Sequence, residues 1–482
     1  MNKLVGISLI ASAALSACAV GPDYQRPAVA TPPAFKEAQG WTPAAPADAK
    51  DKGPWWAAFN DPVLDALEKQ VEVSNQTLAA SEAAYREARA LVAEDRAQLF
   101  PTIGLSGAAA ANHGAGSTST ATTTTAAATT LGSNSTRHEY QVGVEASWVP
   151  DLWGKIRREI EGAQASAQAS AADLANARLT AQSELAQDYI QLRMTDAEKD
   201  LFERTVAAYQ RALTVTQNQY NAGRTPRSSV LTASTTLHTA QANLVDLDKQ
   251  RAQAEHAIAV LMGKPPAEFS LAPDLGWSPE PPDIPLQLPS TLLQRRPDIA
   301  AAERNAQQAN AQIGVATAAY YPDLSLTASY GVESAAIHTL FRSSNTLWSL
   351  GADVAETVID FGAREAAVEQ SRAAFDASVA TYRQTVLTAF QGVEDALAAA
   401  SVLKREQPLL AAAVSDSTTN VEITLNEFKA GTVDYTTVAT AQAAALTAQQ
   451  SALNLQAERM TEAVDLIEAL GGGWSADELA SK

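Results

Sequence analysis

Gln217-Asn218-Gln219-Tyr220-Asn221-Ala222-Gly223-Arg224-Thr225 returns, altered but recognisable, as Leu425-Asn426-Glu427-Phe428-Lys429-Ala430-Gly431-Thr432-Val433, with Phe428 lying 208 positions after Tyr220. The same offset of 208 carries Met262-Gly263 onto Leu470-Gly471; an offset of 209 carries Asp151 and Lys155 onto Asp360 and Arg364, with Gly154 and Gly362 between them at 208. A unit of this length is too long for a solenoid repeat and reads as half a domain duplicated. Each half can therefore be checked against the other.

Working outward, very long helices precede both copies of the turn, roughly 155–221 and 364–429. At 1.5 Å per residue each would reach about 100 Å. Phe375, Val379, Tyr382, Val386, Ala389, Val393 and Ala396 keep the alternating four-three spacing of a coiled-coil seam, and Leu174, Ala181, Leu185 and Leu192 do much the same in the first half. Each long helix turns at its glycine, Gly223 or Gly431, and returns as a shorter helix ending at Gly263 or Gly471. Further helices are expected from Asp61-Pro62 to about Leu99 and from about Pro297 to Tyr320.

Ahead of each long helix the period changes from 3.6 to 2. Ile103, Leu105, Gly107 and Ala109 alternate with small residues; Tyr140, Val142, Val144, Ala146 and Trp148 alternate with Gln141, Gly143, Glu145 and Ser147. The second half repeats the pattern in Leu324, Leu326, Ala328 and Tyr330, and in Trp348, Leu350, Ala352 and Val354. Four strands of about ten residues, each with an apolar and a small-polar face, match transmembrane β-barrel strands. Two soluble hairpins packed on helices would alternate in the same way. Four strands are too few to close a barrel, so strands that span a membrane must be shared between protomers.

The ends divide from the body by composition. Lys3, the apolar stretch Leu4–Leu15 and Leu15-Ser16-Ala17-Cys18 read as a signal peptide over 1–17 whose processing exposes Cys18 for lipidation. Residues 18–60 read as an extended tether whose Trp55, Trp56 and Phe59 dock on the body. The first repeat then covers 61–263, a Pro-rich connector 264–296, the second repeat 297–471 and a tail 472–482. No later stretch reads as a transmembrane helix. Cys18 is the only cysteine in 482 residues, so no disulfide framework or thiolate cluster exists.

A formal charge of −19 argues against nucleic acid as a partner. The chain has five histidines, of which His238 and His256 are five helical turns apart and cannot share an ion. No nucleophile sits beside a base and no nucleotide-binding loop is found. Glu394-Asp395 reads as part of a solvated helix face. The reading is neither an enzyme nor a holder of metal or cofactor.

Leu292-Leu293-Gln294-Arg295-Arg296-Pro297-Asp298-Ile299, followed by Glu303, Ile313-Gly314-Val315-Ala316 and Tyr321-Pro322, resembles the signature of the outer-membrane efflux proteins. These are TolC-like channel-tunnels, and the start of the chain (Cys18, Gly21-Pro22-Asp23-Tyr24, then Trp55-Trp56 and Asp61-Pro62) resembles their lipoprotein branch, the NodT/OprM type. The resemblance implies a homotrimer in the bacterial outer membrane, its twelve strands closing one barrel over an α-helical periplasmic tunnel. It further implies a passive exit channel that works with a periplasmic adaptor and an inner-membrane pump. A trimeric coiled-coil stalk without transport is the rival reading; strand pairs in both halves favour the duct, because a stalk needs only one anchor.

The family implies two further sites. Members narrow the periplasmic end with an aspartate, in whose place Thr440 stands; a second narrowing position falls on Thr436 or Thr437. A neutral ring lacks the field that concentrates cations at an acidic mouth. Thr440 packing inside its own hairpin is the alternative. The turns that meet the adaptor correspond to Tyr220, Gly223 and Arg224 and to Phe428, Gly431 and Thr432, although the glycines also suit plain helix capping.

Overall fold

The computed structural model describes residues 19–38, 54–114, 135–275, 277, 280–282, 284 and 295–474. Cys18, Leu292-Leu293-Gln294 and the tail beyond Trp474 lie outside the described residues. In chain order the elements are α1 (Pro62–Ser74), α2 (Gln76–Ala97), β1 (Thr102–Gly114), β2 (Ser135–Trp148), α3 (Lys155–Asn221) and α4 (Arg227–Leu261). The second half supplies α5 (Pro297–Ala318), β3 (Asp323–Ser334), β4 (Thr346–Ala355), α6 (Ala363–Ala430) and α7 (Tyr435–Ala469). Two compact units emerge: Met1–Arg26, Ala88–Ala167 and Asn305–Ser378 form one, and Pro27–Glu87, Gln168–Arg304 and Val379–Lys482 the other.

The first unit holds an antiparallel sheet in the order β1-β2-β3-β4. Its register aligns the period-2 patterns of all four strands. Leu105 pairs with Val144, Val144 with Tyr330, and Tyr330 with Trp348. Directly paired residues share a face, so one side of the sheet is continuously apolar. Its large side chains lie open in the single chain: Leu105 is 80%, Tyr330 63%, Trp348 74% and Leu350 79% exposed. The other face carries Glu145 opposite Ser329 and Ser329 opposite Ser349, whose hydroxyls are 2.8 Å apart. Among the described residues β1 and β4 each pair on one side only and leave two free edges.

Below the strand ends the N-terminal residues are fastened in the same unit. Val20 N–H donates to the Trp153 carbonyl at 3.0 Å. The buried Arg158 guanidinium donates to the carbonyls of Val20 and Gly21 and to Asp23 Oδ1 at 2.8 Å. Gly21 lies so close to the backbone of Gly314 on α5 that a Cβ there would strike its Cα. Asn310 Nδ2 reaches the Pro22 carbonyl at 2.9 Å.

The repeated Asp corner is also visible. Asp151 accepts from the backbone and Nε of Arg157, and Asp360 from those of Arg364. The residue equivalent to Arg364 is therefore Arg157, not Lys155, because the first loop carries two more residues between acid and base.

The second unit is helical. Its seams are where the heptads place them: Tyr382, Val386, Val393 and Leu397 pack with Leu466 and Leu470, while Leu185, Tyr189 and Leu192 pack with Val71, Ile258 and Val464. Phe35 and Trp56 of the N-terminal stretch are buried in these clusters. Backbone N–H groups of Lys36 and Glu37 donate to the Glu394 carboxylate at 2.7 and 2.9 Å. Glu394 thus anchors the tether instead of decorating a solvated face. One window of α6 is apolar and long enough by composition to cross a membrane, where the sequence reading sees none.

The expected single helix over 62–99 is broken at Asn75. Its side chain accepts from the N–H groups of Thr77 and Leu78 and donates to the Leu261 carbonyl at 2.9 Å. Asn75 ends α1, caps α2 and ties both to the end of α4. The signature residues prove to be joints of the same kind. Arg296 forks onto Asp298 and donates to the Ala469 carbonyl at 2.9 Å, closing the C-terminus of α7. In the first unit Trp153 stacks on Tyr321 at 4.8 Å and donates to the Pro322 carbonyl.

Candidate functional site

The two helical hairpins of the second unit end in matching turns. At the first, Gly223 N–H bonds the Tyr220 carbonyl at 2.9 Å and Arg224 N–H the Gln219 carbonyl at 2.8 Å. At the second, Gly431 bonds Phe428 and Thr432 bonds Glu427, both at 3.0 Å. This Schellman pattern needs a left-handed residue, and Gly223 and Gly431 adopt φ of +71° and +81°. A Cβ on either would meet nothing within 4 Å. The equivalent glycines at the far ends of the return helices differ: a Cβ on Gly263 would strike the Ser74 carbonyl, and one on Gly471 the Arg295 carbonyl. Conformation alone selects glycine at the tips; close packing selects it as well at the other ends.

The structure brings part of the sequence-predicted set together. Arg224, Phe428, Gly431, Thr432 and Thr437 line one cleft of about 820 Å³ between the tips. Gln219 Nε2 donates to the Phe428 carbonyl at 3.3 Å and ties the two hairpins to each other. Tyr220 is 39% exposed and stands outside the cleft lining. Phe428 is only 3% exposed, its ring edge-on to Tyr435 at 5.6 Å. It is a wedge in the tip core with Val438, so its side chain is not the exposed contact that the resemblance implies.

Thr436, Thr437 and Thr440 share an exposed face of α7, opposite the buried Tyr435, Val438 and Ala441. Within one protomer Thr440 therefore does not pack into its hairpin. Its hydroxyl donates back to the Thr436 carbonyl at 2.9 Å. Asp434 Oδ1 accepts from both the N–H and the hydroxyl of Thr437, each at 3.0 Å. This N-cap places a carboxylate beside the threonines and in the cleft, a residue that the comparison of aligned positions overlooked. Its signal was legible: an aspartate three residues after a turn glycine is a helix start.

Deeper in the same unit are carboxyls that have no counter-charge among the described residues. Glu68 is fully buried on α1, and among the described residues neither side-chain oxygen has a hydrogen-bond partner. Burial first, and then the neighbouring Glu72 charge, push its pKa up to about 9, so it is neutral at pH 7. Asp188 on α3 is raised to about 6 by burial and then by Glu184.

The family model described as outer membrane efflux protein matches residues 67–264 and 288–472. The chain is 29% identical over 481 residues to a solvent efflux pump outer membrane protein, SrpC, of Pseudomonas putida, covering 99% of this chain and 100% of that one. It is 27% identical over 468 residues to the cation efflux system protein CusC of Escherichia coli, covering 96% and 97%. The solved outer-membrane channel OprN superposes with a TM-score of 0.84 at 28% identity, over 95% of this chain and 100% of that one.

Proposed function

Because this chain belongs to the outer membrane efflux protein family, we propose that it moves solutes as a passive duct, with its four strands completing a shared barrel. It is an outer-membrane channel component of an efflux system. The observation that carries the duct is the sheet register, which gathers nearly all the large apolar side chains, Leu347 excepted, on one exposed face and leaves the edges of β1 and β4 unpaired among the described residues. Free edges do not persist in lipid, nor a broad apolar face in water; both are satisfied when copies of the sheet join edge to edge in a bilayer. Three copies supply the twelve strands of a homotrimeric barrel, and the long helices continue it as a periplasmic tunnel.

The remaining roles follow from position. Lipidation at Cys18 anchors the N-terminus. The cleft between the tips, with Arg224, Gly431 and Thr432, receives a periplasmic adaptor that couples the duct to an inner-membrane pump. Thr436, Thr437 and Thr440 of three protomers converge on the periplasmic constriction, with Asp434 a turn away. Transport energy comes from the pump. The relatives carry names as different as solvent and cation efflux at almost equal identity, so family likeness does not select a cargo.

The test is conductance. Purified protein reconstituted in a planar bilayer should open discrete ion-conducting steps, and a Thr440 variant should change their ion selectivity. Protein that inserts as a trimer but conducts nothing would overturn the duct.

A further inference from the structure

A second groove, sharing Phe428 and Lys429 with the tip cleft, runs between α3, α6 and α7 and encloses about 490 Å³. Its floor is apolar, formed by Tyr209, Leu425 and Phe428 among others. Its rim is cationic: Arg204, Arg211 and Lys429 all line it, in a chain whose formal charge is −19. Arg204 is occupied by Asp200 at 2.8 Å. Among the described residues no carboxylate pairs with Arg211 or Lys429.

The decisive residue is Gln442 on α7. It is only 6% exposed, lines the groove, and its Oε1 has no hydrogen-bond partner among the described residues. A buried carboxamide end without a partner is destabilising, and its retention calls for a reason. Whichever way the amide is turned, one polar end is left without a protein partner among the described residues. The volume falls within the range of small-molecule sites, which run from about 300 to 1,000 Å³.

We propose that this groove is a binding site for a small amphiphilic anion. The ligand's apolar body covers Tyr209, Leu425 and Phe428, its acidic head pairs with Arg211 and Lys429, and a hydroxyl bonds Gln442. A ligand seated there touches both hairpins. The site does not rest on the transport reading, and ligand binding is measured without transport, so either can fail without the other.

The experiment uses the full-length protein in lipid nanodiscs and equilibrium dialysis of radiolabelled 12-hydroxydodecanoate, with empty nanodiscs subtracted. Saturable binding near one equivalent per chain is expected. Dodecane-1,12-diol, with the same body and no charge, should bind at least tenfold more weakly. Arg211→Glu combined with Lys429→Glu should raise Kd at least tenfold. Gln442→Leu should raise Kd about tenfold and yet raise the melting temperature, because the unpartnered buried oxygen is gone. That opposition separates a ligand-binding Gln442 from a structural one.

Four outcomes overturn the proposal. They are absence of saturable binding, diol binding as tight as that of the acid, and Kd values unmoved in both variants. The fourth is protection of Ala208→Cys from a soluble maleimide by a neighbouring copy. Ala208 lines the groove, so protection would mean that the chain's own assembly fills it.

Discussion

Replacing Gly431 by valine separates a tip that docks a partner from a tip that merely ends a helix. Gly431 sits at φ +81° and a Cβ there meets nothing within 4 Å, so no contact is lost and no atom is displaced. What remains is the backbone. A non-glycine residue in the left-handed region is disfavoured by roughly 1–2 kcal/mol, which lowers the population of the tight turn about 5–30-fold. β-Branching adds to the penalty. The Gly431–Phe428 and Thr432–Glu427 bonds should open, reshaping the cleft, while the cores around Val393 and Leu192 are untouched. Trimer yield on mild gels should therefore stay near wild type. Cross-linking to the adaptor and drug or dye efflux in cells should both fall. Gly471→Val is the control: there the new side chain collides with the Arg295 carbonyl, and the folded protein itself should be lost. Normal cross-linking and unimpaired efflux by Gly431→Val, at wild-type abundance, would refute a docking role for this tip.

Four other outcomes are expected. Val144→Arg should deplete outer-membrane trimer far more than Ser329→Arg, since the two lie in neighbouring rungs on opposite faces and a lipid-facing charge costs about 2–4 kcal/mol at the midplane; quantitative blotting of the membrane fraction ranks them. Cys18→Ser should abolish incorporation of a clickable fatty acid while the barrel still inserts. Thr440→Asp should strengthen cation selectivity and divalent block in planar bilayers, above whatever Asp434 already supplies; an unchanged reversal potential would remove Thr440 from the pore. Glu68 holds its proton more tightly folded than unfolded, so its contribution weakens stability as pH rises from about 4.5 to about 9. Glu68→Gln should flatten that slope and raise the melting temperature at pH 8 more than at pH 5, and a parallel shift at both pH values would show that Glu68 is not the titrating group.

Much of this protein was legible in the chain itself because periodicity is a local property. The period-2 runs around Val144 and Leu350 and the heptads around Val386 and Leu185 each declare a face without reference to any partner. The duplication then doubles the evidence, and Gly223 and Gly431 announce their turns through a conformation that other residues avoid. What the face meets is not local. Glu394 reads as an ordinary surface acid until the tether, more than 350 residues earlier in the chain, presents two N–H groups to it. Phe428 reads as a tip residue until Tyr435 and Val438 close over it. Asn75 reads as a tolerable residue inside a helix, yet its bond to Leu261 makes it the point where the helix ends. Pairing of polar groups and exclusion of water depend on which distant segments fold together, and only the tertiary structure decides that.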